Sequence, residues 1–246
     1  MIKSRIASHF QRAQATYDAN AVVQKDMADK MVQILASLDV NFLRVLELGC
    51  GVLTFTQRLL KHFQVHELFL NDLWDPPLAS LSWTGAVKTL VGDAEKLEWP
   101  KELDLVAANA VVQWFSSPLR VLDLAFQAVR PGGFLALGLF LPGTFAEFQT
   151  VTGKGLSYPG YSTWKEKAKK VGWVFKKDCS IEKTLQFAHP KDVLRHIQAT
   201  GVGATADFVW TRSALTQFEK NYPQSQNQTY PLSYAAKVVL WQRQET

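Results

Sequence analysis

The hydrophobic pattern divides the chain into a helical beginning, a middle of short apolar runs separated by turns, and a mixed end. Residues 4–17 are polar and helix-compatible, with Phe10 and Tyr17 as anchors. Residues 21–38 place Val22, Val23, Met27, Met31, Ile34, Leu35 and Leu38 at helical spacing, the pattern of an amphipathic helix. Arg44-Val45-Leu46-Glu47-Leu48 then reads as a short buried strand running into Gly49-Cys50-Gly51, with a helix-like run over 54–63. A second strand over 67–70 ends at Asn71-Asp72 and is broken by Trp74-Asp75-Pro76-Pro77. A third over 86–91 ends at Gly92-Asp93-Ala94, and a fourth over 103–108 ends at Asn109. A helix over 118–129 is stopped by Arg130-Pro131-Gly132-Gly133, and 134–140 is a fifth, fully buried strand.

The remainder is less regular. Helices are expected over 144–151, 163–171, 190–200 and 213–222, an extended stretch over 173–187 with Ile181, Thr184 and Phe187 buried, and a last strand over 233–241. Strands alternating with helices predict an α/β fold with a doubly wound, mainly parallel seven-stranded sheet. The two late strands fit an antiparallel pair at its edge, and the late helices a roof over the ligand face. The chain reads as one domain: a helical arm over 1–40, a ligand-binding core over 41–142, and substrate-side helices and last strands over 143–246.

Composition narrows this picture only a little. With 246 residues, 47% hydrophobic and 20% charged, the chain suits an ordinary globular protein. No apolar run approaches the roughly 20 residues that span a bilayer, and the N-terminus lacks an apolar signal core; a cytoplasmic location is expected. Cys50 and Cys179 are far apart and without metal-ligand spacing, so neither a metal site nor a disulfide is expected. A net charge of +5 permits an acidic partner without demanding one.

The chemistry lies at the strand ends, where open parallel sheets bind ligands. A strand, a glycine turn and a helix N-terminus make a nucleotide-type site, because glycines let the backbone approach and the first helical N–H groups face the ligand. The dinucleotide motif G-x-G-x-x-G is incomplete, since Thr54 holds its last position, and no P-loop occurs. Asp72, ending the second strand, suits ribose hydroxyls. Asp93, after the third, suits an adenine amine, because a carboxylate only accepts. No His/Asp or Cys/His catalytic signature is present. His9, His62, His66, His189 and His196 are expected in surface or capping roles.

Glu47-Leu48-Gly49-Cys50-Gly51, Asp72, Gly92-Asp93-Ala94 and Arg130-Pro131-Gly132-Gly133 together resemble a class I S-adenosylmethionine-dependent methyltransferase, with its Rossmann-like fold. The stretch from Phe10 through Ala15-Thr16-Tyr17-Asp18 to Gln24 resembles more narrowly the malonyl-[acyl-carrier-protein] O-methyltransferases of biotin biosynthesis. So do Ala108-Asn109-Ala110-Val111-Val112-Gln113-Trp114-Phe115, His196-Ile197-Gln198-Ala199-Thr200-Gly201-Val202-Gly203-Ala204 and Tyr230-Pro231-Leu232-Ser233-Tyr234. The resemblance implies that Gly49 and Gly51 serve the methionine end of S-adenosyl-L-methionine, with Glu47 among the cofactor-binding residues. It places Asp72 on the ribose with Leu73 beside the adenine, Asp93 and Ala94 on the adenine edge, and Asn109 and Ala110 near the sulfonium. Tyr17 would close over cofactor and substrate.

The implied reaction methylates the free carboxylate of a malonyl thioester, malonyl-acyl carrier protein or malonyl-CoA, in a cytoplasmic monomer without metal, membrane or nucleic acid. A cation for the malonyl carboxylate is expected, with Arg12, Lys154 and Arg212 as guesses. The basic run Lys165-Glu166-Lys167-Ala168-Lys169-Lys170 with Lys176-Lys177 reads either as a solvated face or as a docking patch for an acidic carrier protein. One position departs from the family: Leu53 stands where a third motif glycine is usual. Two alternatives to the malonyl enzyme follow, a methyltransferase of another small molecule and a non-catalytic homologue whose cofactor binding Leu53 impairs.

Overall fold

The computed structural model describes residues 3–201 and 210–245; Val202, Gly203 and Ala204, which close one of the family-like segments, lie outside them. The middle one of the five parallel strands is β1 (Arg44–Leu48). On one side of it lie β2 (Glu67–Asp72) and β3 (Ala86–Val91), on the other β4 (Leu103–Asn109) and β5 (Val129–Phe140), all parallel. β7 (Tyr230–Arg243) runs antiparallel to β5, and β6 (Trp173–Phe187) antiparallel to β7 at the edge. The sheet has seven strands in the order β3-β2-β1-β4-β5-β7-β6, the mainly parallel arrangement expected from the alternating pattern.

A strand flanked by parallel neighbours is covered on both faces, so its residues are apolar in both orientations. Leu46 pairs with Phe69 on one side and Val106 on the other. On one face, Met27, Met31 and Leu35 of α2 (Val22–Ala36) and Phe55 and Leu59 of α3 (Thr54–His62) pack with Val45, Leu68 and Leu70. On the other, Val121, Leu122 and Ala125 of α4 (Arg120–Ala128) and Trp164 and Ala168 of α6 (Tyr161–Val171) pack with Leu46, Leu48, Val106, Leu135 and Leu137. Before α2 comes the arm helix α1 (Lys3–Asn20), and α5 (Ala146–Thr152), α7 (Pro190–Ala199) and α8 (Arg212–Asn221) complete the helices among the described residues.

The winding is incomplete on the β3 side. Only a 3₁₀ turn at Leu78–Ser80 lies between β2 and β3, and no helix lies between β3 and β4. Pro76 and Pro77 remove amide donors and hold their predecessors extended, so β3 lacks a covering helix and its residues are exposed or half-buried. One expectation fails for a simple periodic reason. Thr184 is exposed, because side chains alternate faces along a strand and a residue three positions from half-buried Ile181 points the other way. The basic run lies at the end of the sheet opposite the carboxyl ends of the parallel strands. Trp173 opens β6 opposite Arg243 at the close of β7, so Lys169, Lys170, Lys176 and Lys177 lie toward the edge where the parallel strands begin, and Lys167 pairs with Asp123 at 2.6 Å.

The starts of the strands are tied by Asp104. Its buried carboxylate accepts the backbone N–H groups of Leu43 (2.8 Å) and Arg44 (2.7 Å) and Nε–H of Arg130 (2.6 Å), joining β1, β4 and the start of β5. Their carboxyl ends are left to form the site. Among the described residues no helix is long and apolar enough to cross a membrane, and both cysteines are free.

Candidate active site

The chain leaves β1 through three alternate left-handed residues, Gly49 (φ 60°), Gly51 (φ 52°) and Leu53 (φ 67°). At Gly49 a Cβ would come within 2.2 Å of the Val111 side chain, so this position is closed to any other residue. At Gly51 the same direction is open space, and the amide donates to Asp72 Oδ2 at 2.8 Å. Leu53 precedes α3 and adopts the conformation a glycine would take freely, at a cost of about 1–2 kcal/mol for an L-residue. Its side chain is 0% exposed within the core between α2, α3 and the sheet, and it is not among the residues lining the cavity above the turn. The departure therefore strains the backbone without placing its side chain in the cavity.

That cavity encloses about 910 Å³, its mouth included, and is lined by all ten residues expected at the site: Tyr17, Glu47, Gly49, Gly51, Asp72, Leu73, Asp93, Ala94, Asn109 and Ala110. The strand ends are stitched together around it. Asp72 accepts from Leu73 N–H at 2.6 Å as well as from Gly51, and its backbone carbonyl accepts from Gly92 N–H at 2.7 Å. Asn71 Nδ2 donates to Leu90 O (2.7 Å) and Gly92 O (3.1 Å).

Burial dominates the electrostatics. It pushes Asp72 up to about 6 against the backbone donors that favour its charged form. It pushes Glu47 up to about 8, with Asp72 adding repulsion and the Thr56 hydroxyl, donating at 2.5 Å, opposing the rise.

The arm roofs the cavity. Phe10 stacks on Trp74 (6.2 Å, 22°) and meets Trp114 edge-on (5.4 Å, 88°). It also fills the space beside Gly201, where a Cβ would lie 2.5 Å from its ring. Thr16 Oγ1 donates to Ala199 O at 3.2 Å, tying α1 to the end of α7. Lys3 reaches Glu95 (3.0 Å), Asp93 (3.4 Å) and Trp114 O (2.8 Å). Lys3, Phe10, Trp74 and Trp114 line the cavity; Phe10 is expected as an anchor of the arm, but none of the four is expected at the site. Lys3 is a lone cation in a polar helix, and Trp74 sits in a stretch that reads only as a strand breaker.

On the substrate side the expected cation is missing from the lining. Lys3 is the single Lys or Arg among the described residues lining the cavity. Arg12 donates to Ser8 O on the exposed face of α1, and Lys154 and Arg212 are exposed. His196, expected on the surface, is buried. Its Nε2 lies 2.7 Å from the Tyr234 hydroxyl, and burial lowers its pKa to about 4, so the imidazole is neutral at pH 7.

Comparison with known proteins agrees with this geometry. Residues 46–137 match the family model described as a methyltransferase domain. The malonyl-[acyl-carrier protein] O-methyltransferase of Acinetobacter baylyi is 30% identical over 98% of this chain and 97% of its own. That of Haemophilus ducreyi is 34% identical over 90% and 89%. The chain belongs to the malonyl-[acyl-carrier protein] O-methyltransferase family. Among solved structures, the N-methyltransferase NodS of Bradyrhizobium japonicum in complex with S-adenosyl-L-homocysteine shares the fold, with a TM-score of 0.56 at 13% identity over 88% of this chain and 87% of its own. The family's cofactor is S-adenosylmethionine, and the residues present fit it. Two acids at consecutive strand ends suit hydroxyls and an amine, a turn with open space at Gly51 admits a close ligand, and the buried Oδ1 of Asn109 has no donor.

Two predictions follow from the turn. In the ligand-free protein at pH 7, Glu47 is mostly protonated, and a cationic cofactor favours its ionised form. Binding therefore releases a proton. The Kd for S-adenosylmethionine should fall as pH rises from about 6 to about 8, by at most tenfold per unit for one group, and level off above. Calorimetry across that range, in buffers of different ionisation enthalpy, measures both, and Glu47→Gln should flatten the slope. Leu53→Gly relieves backbone strain but empties a core position, so it should lower stability by a net of about 2–3 kcal/mol in urea unfolding. Affinity for S-adenosylhomocysteine should stay within about twofold; tenfold tighter binding would show that the leucine crowds the ligand.

Proposed function

We propose that the protein transfers a methyl group from S-adenosylmethionine to the free carboxylate of malonyl-acyl carrier protein, as its relatives' names describe, in biotin synthesis. It would act as a cytoplasmic, single-domain monomer without nucleic acid, and malonyl-CoA is the other thioester the chemistry admits. The reading is carried by likeness over nearly the whole chain, at 30–34% identity, joined to a cavity lined by every residue of the cofactor signature.

S-adenosylmethionine, when bound, supplies a methyl group made electrophilic by its sulfonium. The chain's task is to hold, enclose and align. Asp72 accepts ribose hydroxyls on the lone pairs that Gly51 and Leu73 leave free, beside Leu73 at the adenine face. Asp93 and the Ala94 amide take the adenine edge, Glu47, Gly49 and Gly51 the methionine end, and Asn109 and Ala110 flank the reacting centre. A malonyl carboxylate is already ionised at neutral pH, so no general base is needed. Burial first, then Asp72 and Asp18, raise the Tyr17 pKa. Its phenol therefore stays protonated and can donate to the carboxylate, since the one Lys or Arg among the described residues of the lining, Lys3, is paired with Asp93 and Glu95. Phe10, Trp74 and Trp114 exclude water, and alignment within the closed site supplies most of the acceleration.

The decisive experiment incubates the protein with methyl-labelled S-adenosylmethionine and malonyl-acyl carrier protein. A base-labile methyl ester on the malonyl group is expected, along with rescue of a biotin-requiring strain lacking its own malonyl methyltransferase. Cofactor binding without either result would assign the enzyme to another small acceptor. Tyr17→Phe should lower kcat by about ten- to a hundredfold while leaving the S-adenosylhomocysteine Kd within about threefold, since one charge-assisted hydrogen bond to the acceptor is lost.

A further inference from the structure

A second concavity lies between α7 and α8. It encloses about 1030 Å³, its open mouth included, and is lined by Pro190 and Tyr230, by Lys191 and Arg195 of α7, and by Glu219 and Lys220 of α8. The two helices carry four cations, Lys191, Arg195, Arg212 and Lys220, against two carboxylates. Both carboxylates are engaged within the surface: Lys191 pairs with Glu219 at 3.0 Å, and Arg195 with Asp192 at 2.6 Å. Arg212 and Lys220 have no carboxylate partner among the described residues, and all four cations are exposed. Exposed pairs are weak, so the carboxylates of an arriving partner can take any of the four.

Position distinguishes this surface from the larger basic run around Lys169. Phe187 closes β6 opposite Tyr230 at the start of β7, beyond the point where Phe140 closes β5 opposite Ala236. The groove therefore opens at the carboxyl ends of the parallel strands, as the active site does. α7 connects the two. Its first residue, Pro190, lines the groove; its last, Ala199, accepts the Thr16 hydroxyl, and Gly201 just beyond packs on Phe10 of the roof. The ten residues of α7 set groove and roof about 15 Å apart. A carrier protein presents its thioester on a phosphopantetheine arm of about fifteen backbone bonds, the length of about five extended residues or roughly 17 Å. Such an arm spans α7. From the basic run it would have to pass the whole sheet.

We propose that the α7–α8 groove is the docking surface for an acidic carrier protein, with Arg195 and Lys220 meeting its carboxylates and α7 marking the path of its arm to the cavity. Charge complementarity of this kind speeds encounter and fixes orientation. The inference rests on the function proposed above.

The test combines Arg195→Glu with Lys220→Glu, which reverses exposed charges without touching the core. The KM for malonyl-acyl carrier protein, and the Kd of the carrier protein measured by direct titration, should each rise at least about tenfold. Malonyl-N-acetylcysteamine, a thioester with neither protein nor phosphate, should be methylated by variant and wild type at rates within about twofold. Lys169→Glu with Lys170→Glu, at the far end of the sheet, should leave the carrier KM within about twofold. Unchanged carrier KM and Kd in the groove variant, or an equal loss in the Lys169 and Lys170 variant, would overturn the assignment. So would an equal loss with the N-acetylcysteamine thioester, which would mark a structural defect, or a loss confined to malonyl-CoA, which would mark a nucleotide-phosphate site. A wild type that methylates no malonyl thioester would overturn the functional reading itself, and this inference with it.

Discussion

The carboxylate of Asp72 holds the lining of the cavity together with its two oxygens. One takes the amide of Gly51 and the other that of Leu73, so the glycine turn is fastened to the end of β2 by a side chain. The residue's own carbonyl fastens Gly92, and its neighbour Asn71 bridges to β3. Three loops that would otherwise move independently are set at fixed spacing before any ligand arrives. Pre-ordering of this kind spends interaction energy on the empty site so that less ordering entropy remains to be lost on binding. The cost is visible in the acids. Glu47 and Asp72 share a buried pocket; burial raises both, and the Asp72 charge adds to the rise at Glu47, the larger of the two. A positively charged ligand relieves that repulsion, so the feature that burdens the empty protein favours binding.

The arm is held by a different kind of bond. α2 buries eight residues against the sheet, whereas α1 buries only Ile6 and Ala13. What fastens α1 is the Lys3 contact with Asp93 and Glu95, the Phe10 aromatic cluster and the Thr16 bond to α7. Such contacts are few and lie at the surface of the core, and segments fastened this way open at lower free energy than the global unfolding. The cavity beneath α1 must admit and release a ligand, so a cover fastened by polar clips and a few rings suits it better than one fused to the core.

What could be read from the chain alone follows a physical division. Strand ends, turn glycines and acceptor-only acids are local signals, and all ten expected residues line one cavity because the parallel topology brings consecutive strand ends together. Signals that depend on a remote partner were silent. His196 lies on the buried side of α7, but nothing nearby in sequence shows that Tyr234, 38 residues on, will meet it. Lys3 has no local cue, since its partners lie about a hundred residues away in the folded neighbourhood of Asp93 and Trp114. The basic run was legible as charge but not as position, because an antiparallel edge strand reverses which end of the sheet a helix tail reaches.

Leu53 shows the limit of reading a motif by residue identity. Its position requires a left-handed backbone, which glycine meets without cost, and the requirement belongs to the chain path rather than to the ligand. A side chain there is excluded only if its Cβ points at the ligand or at a neighbouring backbone. At Gly49 it would, striking Val111; at residue 53 the side chain turns into the core between α2 and α3. Burial of a leucine there contributes about 1.5–3 kcal/mol, enough to offset a strain of about 1–2. The three left-handed positions of this turn are therefore constrained to different degrees: Gly49 by steric exclusion as well as conformation, and Gly51, where the Cβ direction is open space, and Leu53 by backbone conformation. Only the third leaves room for a substitution that stabilises the fold while sparing the site.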